Sequence, residues 1–186
     1  MRSSFLHRLI GAAMLDRDTY EEIEADATAT PQALAVVVFS SVSAAIGAKG
    51  IVGGAATLAF FASASVIALL VWATWALLTF EVGARLLPAP DTRTDPGELL
   101  RTLGFAATPG LVQVVAALPG AKVPVFTIAV LWTLAASVVA VRQALDYPST
   151  SRALAVCGLG AILALSGAVI VGLLFGPTLS GVEASW

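Results

Sequence analysis

The chain reads as an all-α polytopic membrane helical bundle: five transmembrane helices, with an amphipathic interfacial helix at a cytoplasmic amino terminus. Three observations predict this class. Hydrophobic residues make up 58% of the 186 residues, charged residues only 12%, and the mean hydropathy is +0.91. A water-soluble fold this small cannot hide so much apolar surface in one core. Five stretches also approach or exceed the ~20 apolar helical residues that a bilayer core requires. Finally, the basic residues cluster in alternate connecting segments, as the positive-inside rule demands.

Residues 1–30 form the cytoplasmic interfacial segment. In "MRSSFLHRLIGAAML", Phe5, Leu6, Leu9, Ile10, Ala13 and Met14 recur at helical spacing and predict a helix lying on the membrane. The stretch begins like a signal peptide, but His7 and Arg8 interrupt a short apolar run, so the interfacial helix is the better reading. The acidic run "DRDTYEEIEADATAT" follows. Asp18 and Glu21 stand in capping-box spacing, and Tyr20 and Ile23 share a face, which predicts a short helix over the inner surface.

The five-span domain covers 31–176. The first span, 31–48, starts at Pro31 behind the N-cap Thr30. The second, 57–80, is the longest uninterrupted apolar run. The third, 96–118, opens with "DPGE", where Asp95 caps, Pro96 starts the helix and Glu98 completes a capping box. Pro109 interrupts it, removing the bond to the Phe105 carbonyl; Thr108 is placed to satisfy freed groups, and a kink is expected. The fourth span is 123–146. The fifth, 151–175, is capped by Ser149 or Thr150, and 177–186 is a short external tail.

With the amino terminus in the cytoplasm, Arg2, Arg8, Arg17, Arg85, Arg93, Arg101, Arg142 and Arg152 lie inside, and only Lys49 and Lys122 outside. An even number of spans would put a basic loop on the wrong side. The carboxyl terminus then faces outward.

Much chemistry is excluded. A net charge of −2 offers nothing to nucleic acid. The single Cys157 makes no internal disulfide and reads as a small buried hydrophobe. A single His7 rules out a His-rich metal site, and no cofactor motif is present. "GIVGGAA" lacks the Lys-Ser/Thr ending of a phosphate loop. No ionisable group lies deep in a span, where ion paths and proton relays need one. The chain is read as not an enzyme.

What remains points to packing and interaction. Gly172 and Gly176 stand at GxxxG spacing, suited to close helix approach within the chain or between copies. Trp72, Trp75 and Trp132 fall inside spans and require partners for their indole N–H groups; core filling is the default, with lipid or pigment contact the minority reading. In "VRQALDYPSTSRAL", Arg142 and Asp146 are four apart, a pair worth only ~0.5 kcal/mol when exposed. Arg101 and Arg152 are further partners for Asp146. Tyr147 suits the headgroup belt, and Pro148 stops the helix. Removing Asp146 is expected to lower the folded yield.

The segments "YEEIEAD", "LLRTLGFAATPGL" and "VVAVRQALDYPSTSRAL" resemble the bacterial members of the Ypt/Rab-interacting protein (YIP) family of five-span membrane proteins. The resemblance covers nearly the whole chain. It implies an integral membrane protein without enzymatic activity, in a bacterial inner membrane with a periplasmic carboxyl terminus. Eukaryotic members are associated with Rab-type GTPases, vesicle traffic and membrane shaping. They carry an Asp-Leu-Tyr-Gly-Pro-like motif before the first span, where this chain has "EADATATPQAL", so GTPase binding does not transfer. The Gly104–Phe105 pair before Pro109 looks like the family's Gly-Tyr element.

The leading expectation is a scaffold, accessory subunit or membrane-organising protein whose partners are membrane lipids, other membrane proteins or a second copy. The alternative is a small transporter or channel subunit, for which Gln113 is the one sizeable polar side chain well inside the third span. A third reading, a membrane-embedded lipid enzyme, requires Glu81, Arg101, Arg142 and Asp146 to converge.

Overall fold

The computed structural model describes residues 4–49, 55–90, 92 and 94–183; for 55–56, 165 and 168–183 it describes the helical backbone alone. Every regular element among the described residues is helical. Two short helices, α1 (Phe5–Ala13) and α2 (Arg17–Ala25), precede α3 (Thr30–Lys49), α4 (Ala55–Phe80), α5 (Pro96–Phe105), α6 (Lys122–Ala144) and α7 (Thr150–Glu183). Four stretches, Ala27–Lys49, Thr57–Leu86, Pro96–Ala117 and Lys122–Ala144, are long and apolar enough to cross a membrane. They coincide with the first four expected spans. The fifth expected span falls on α7, whose fully described apolar portion, Thr150–Ala164, is shorter than that requirement.

Local sequence explains the helix ends. The Ser4 side chain accepts from the His7 N–H and starts α1. α1 ends in a Schellman motif: Leu15 takes a left-handed φ of 61°, its N–H bonds the Ala12 carbonyl, and the Asp16 N–H bonds the Gly11 carbonyl. Asp16 then caps α2 through the Thr19 N–H and hydroxyl. One residue thus closes one helix and opens the next, and α1 and α2 form a tight antiparallel hairpin. The expected capping box at Asp18 gives way to this earlier reversal.

The hairpin lies along the flank of the bundle. Phe5 meets Phe105 edge-on, with ring centroids 6.2 Å apart. Trp132 Nε1 donates to the Ala13 carbonyl at 2.8 Å, and Gln143 Nε2 donates to Glu21 at 2.8 Å. Those two α6 residues are separated by about 16 Å of helix axis. The apolar residues of α1 consequently divide between two faces. Phe5, Leu9 and Ala12 pack inward, while Leu6, Ile10 and Met14 are 67%, 61% and 74% exposed.

The third span changes helix type where a kink was expected. Its capping box forms as read: Asp95 accepts from the Gly97 and Glu98 N–H groups, and Glu98 accepts from the Asp95 N–H. After Phe105 the α-helix stops, and a 3-10 helix runs from Thr108 to Ala117. Thr108 Oγ1 donates to the Phe105 carbonyl at 2.6 Å, taking the acceptor that Pro109 cannot serve. A 3-10 run of this length is uncommon, and its steeper rise of ~2 Å per residue stretches the segment. It is wedged between α3 and α6.

At one end of the bundle Lys122 Nζ donates to the Ala48 carbonyl, and Lys49 sits over the Phe60 ring. Arg8, Arg85, Arg101, Arg142 and Arg152 fall toward the opposite end, beside the start of α3, the end of α4, the start of α5 and the α6–α7 corner.

Candidate functional site

Two regions concentrate polar groups: the arginine-rich end and a side-opening cavity between the helices. At the first, the end of α6 corrects the expected pairing of Arg142 with Asp146. α6 stops at Ala144, and Asp146 takes a left-handed φ of 50° as the residue after the cap. Its N–H bonds the Gln143 carbonyl, and the Tyr147 N–H bonds the Arg142 carbonyl, a second Schellman motif. Asp146 is therefore no longer on the helical face of Arg142. Arg142 folds over the corner instead, with Nε, Nη2 and Nη1 donating to the Tyr147 carbonyl, the Pro148 carbonyl and Thr150 Oγ1 at 3.1–3.2 Å.

Tyr147 is not in an outward-facing belt either. It is only 3% exposed, and its hydroxyl lies 2.9 Å from the carbonyls of both Gly83 and Leu87. A π-helical turn, Glu81–Leu86, ends α4 and makes this possible, because the wider turn leaves carbonyls free of the usual ladder. Gly83 leaves room at the contact: a Cβ there would overlap Leu145 Cδ1, and that side chain would have to shift. Thr92 Oγ1 adds a bond to the Leu145 carbonyl at 2.9 Å.

The left-handed residue gives a discriminating prediction. Asp146→Gly should match or exceed the native stability, by up to about 1 kcal/mol, because glycine adopts positive φ without a Cβ clash. Asp146→Ala should lower stability and folded yield. Thermal unfolding of the two variants in detergent checks the order; a loss with glycine as large as with alanine would restore the side-chain ion pair.

Arg101 ties α5 to the hairpin. It is 8% exposed, and its Nη2 donates to the Glu24 carbonyl at 2.5 Å, in the last turn of α2, where a cation also suits the helix dipole. Its Nε is buried without a hydrogen-bond partner among the described residues. Burial pushes the Glu24 carboxyl up to about 7, the neighbouring Glu98, Asp146 and Glu21 charges add to the shift, and Arg101 opposes it. A carboxyl raised in the folded state stabilises most below its ordinary pKa and loses that contribution as pH rises through the folded value. Glu24→Gln should therefore raise the unfolding temperature at pH 8 and change it least at pH 4, below the ordinary carboxyl value, which a pH series of melting curves measures.

Glu81 pairs with Arg85 at 2.9 Å on an exposed turn, so Glu81, Arg101, Arg142 and Asp146 do not bond to one another. Among the described residues no three His, Cys, Asp or Glu side chains converge to hold a metal ion.

The cavity lies between α3, α4, the 3-10 segment and α6, beside the Pro109 break, with a volume of about 490 Å³. Ser40 and Gly110 meet at its floor, where Ser40 Oγ donates to the Ala107 carbonyl at 2.7 Å. Trp72, Trp75, Gln113 and Thr133 also line it. Of the three tryptophans expected to find partners inside the bundle, Trp132 bonds to Ala13, and Trp72 Nε1 is buried with no partner among the described residues. Pro109 itself is buried, shaping the break without facing the cavity as a ligand group. Gly172 and Gly176 lie outside the described residues in all but backbone. The small-residue contacts that can be seen are Gly47 on the Gln113 backbone and Gly104 on Ala33.

No family model, curated protein or solved structure matches this chain. Its class, a helical protein with four helices able to cross a membrane, therefore rests on the chain's own features.

Proposed function

We propose that this is a non-catalytic integral membrane protein that acts as an accessory or organising subunit through helix–helix and lipid contacts. The observation that carries it is α4. Its most apolar stretch has a mean hydropathy of 2.0, yet only 6% of that stretch is buried inside the chain. Leu58, Val66, Ile67, Leu70, Val71 and Leu77 all face outward. Such a wall belongs against lipid or another membrane protein. The polar groups at the arginine-rich end support the same reading, because Arg101, Arg142 and Tyr147 all bond to this chain's own backbone.

In this reading the arginine-rich end faces the cytoplasm of a bacterium, α7 completes five spans, and the exposed ridge of Leu6, Ile10 and Met14 contacts lipid. The YIP-like character is part of the proposal. It rests on the sequence resemblance of the three segments that carry it. Purification in mild detergent followed by mass spectrometry tests the function: co-purifying membrane protein or retained lipid is expected, and a lone, lipid-free monomer would sink it.

The cavity beside Gln113 favours one second reading, a transporter or channel subunit. Solute-specific flux in liposomes, abolished by Gln113→Ala, would establish it in place of the first.

A further inference from the structure

We infer that α1 and α2 form a re-entrant hairpin that enters the membrane from the arginine-rich side, with Leu6, Ile10 and Met14 against the acyl chains of that leaflet and the charged outer face of α2 wetted by water drawn in beside it. The inference rests on the reading of the chain as an integral membrane protein, and adds to it a segment that enters the bilayer without crossing.

Three helices define the slab. Thr30 to Lys49, Phe60 to Phe80 and Lys122 to Arg142 each run about 30 Å along the helix axis, the thickness of a hydrocarbon core. Their outer ends meet, since Lys122 Nζ bonds the Ala48 carbonyl and Lys49 sits over the Phe60 ring. Their inner ends are joined as well. Tyr147, just past α6, bonds the carbonyls of Gly83 and Leu87, just past Phe80. Arg8 bonds Gln32 in the first turn of α3 and Glu22 of α2, and the adjacent Glu21 bonds Gln143 of α6.

From that inner edge the hairpin runs into the slab. Counted along α2, its tip lies about 10 Å beyond Glu21. Trp132, whose indole bonds the Ala13 carbonyl at the tip, stands about 15 Å inside Arg142 along α6. Both measures put the turn among acyl chains, where backbone groups must find their partners inside the protein. The turn meets that demand. The last four carbonyls of a helix have no partner within it. In α1 Ile10 accepts from the Met14 N–H, Gly11 from the Asp16 N–H, Ala12 from the Leu15 N–H and the Tyr20 hydroxyl, and Ala13 from Trp132. A helix on the membrane surface leaves such carbonyls to water. The same contact gives the indole N–H of Trp132 an acceptor inside the span.

The two outer faces of the hairpin suit different surroundings. Along α1, Leu6, Ile10 and Met14 recur one turn apart as an exposed apolar ridge. Along α2, Arg17, Asp18 and Glu21 are exposed. Asp18 and Arg17 lie only about 5 and 6 Å deeper than Glu21, a depth that local thinning opens to water and that a long arginine side chain spans.

A helix lying flat on the membrane holds its ridge at one depth, whereas a re-entrant hairpin grades it. The test uses the full chain in phosphatidylcholine liposomes, in a Cys157→Ser background, with a nitroxide on single cysteines. Collision with oxygen, which concentrates among acyl chains, is read against collision with a water-soluble nickel chelate. The oxygen-to-nickel ratio should rise from Leu6→Cys through Ile10→Cys to Met14→Cys, a depth difference of about 5–10 Å along α1. Leu70→Cys, exposed midway between Phe60 and Phe80, marks the centre of the core. Asp18→Cys should keep nickel access close to that of Glu21→Cys. Trp132→Phe should release the tip and make Met14→Cys shallower. Melting curves confirm that each variant is folded, and if Trp132→Phe is not, the gradient in the native chain decides. One depth for all three ridge positions, free nickel access at Met14→Cys, or an Asp18→Cys shielded from nickel would overturn the inference while leaving the membrane reading in place. Nickel access at Leu70→Cys would strike the membrane reading itself, and the inference with it.

Discussion

Arg8→Met should destabilise the folded chain by about 3 kcal/mol, at the lower end of the cost of breaking a buried ion pair. The Arg8 side chain is 2% exposed and donates in every direction available to it. Nε and Nη2 reach Glu22 at 3.2 and 2.8 Å, Nη2 reaches Asp26 at 2.7 Å, and Nη1 reaches Gln32 at 3.1 Å. The guanidinium thus joins α1 to the end of α2 and to the first turn of α3. Methionine keeps much of the volume but removes the guanidinium that the Glu22 and Asp26 carboxylates share. The lower end of the range applies because the Glu22 side chain is 36% exposed and water partly compensates.

Two controls separate charge from packing. Adding Glu22→Gln and Asp26→Asn to Arg8→Met should recover part of the loss, since the repulsion between the two carboxylates is then gone. Arg17→Met, at an exposed position, should stay within about 0.5 kcal/mol of native. Hydrogen bonds from Thr28 and then Arg8 hold the Asp26 carboxyl well below the ordinary carboxylate range. A carboxyl depressed in this way contributes stability above its unfolded pKa and loses it as pH falls toward the folded value. The hairpin should therefore become protease-sensitive in acid before the bundle melts. Limited proteolysis across a pH series, with cleavage mapped to residues 1–30, measures this; equal sensitivity of native and Arg8→Met protein at neutral pH would refute the clasp.

Features whose partners lie within one helical turn were legible in the sequence. The Asp95–Glu98 capping box and the Thr108 bond to the Phe105 carbonyl are both of this kind. The first four spans were legible too, because hydropathy alone marks them. Arg8 was not. Its partners lie 14, 18 and 24 residues away, and only the reversal at Leu15, an unmarked left-handed leucine, brings them round it. In a linear count Arg8 looked like one more cytoplasmic charge. Tyr147 misled for the same reason: its acceptors are 60 and 64 residues away and exist because α4 ends in a π-turn that no short motif announces. Asp146 sat at helical spacing from Arg142 and pointed to a pair, but the helix stopped two residues before it. The cavity was half visible, as Gln113 and a tryptophan in want of a partner. What joined them was the 3-10 segment, whose pitch the Pro-Gly pair alone does not reveal.

The second large effect belongs to Gly47. Gly47→Ala should cost about 3 kcal/mol, the upper range of overpacking penalties. A Cβ at this position would overlap the Gln113 carbonyl oxygen and stand 3.1 Å from its carbon and 3.0 Å from Ala116 Cβ. The obstructing atoms are backbone, so no rotamer change relieves the overlap, and α3 must move off the 3-10 segment. Helices in lipid are held by close contact and dispersion, not by apolar burial, so a lost approach is not offset by solvent. Gly158 supplies the comparison: a Cβ there meets nothing within 4 Å, and Gly158→Ala should be neutral or stabilising by up to about 1 kcal/mol through helix propensity. Melting curves of the two variants, purified in parallel, measure the difference. A Gly47→Ala protein as stable as Gly158→Ala would mean that α3 and the 3-10 segment do not meet this closely, and the cavity they enclose would lose its wall.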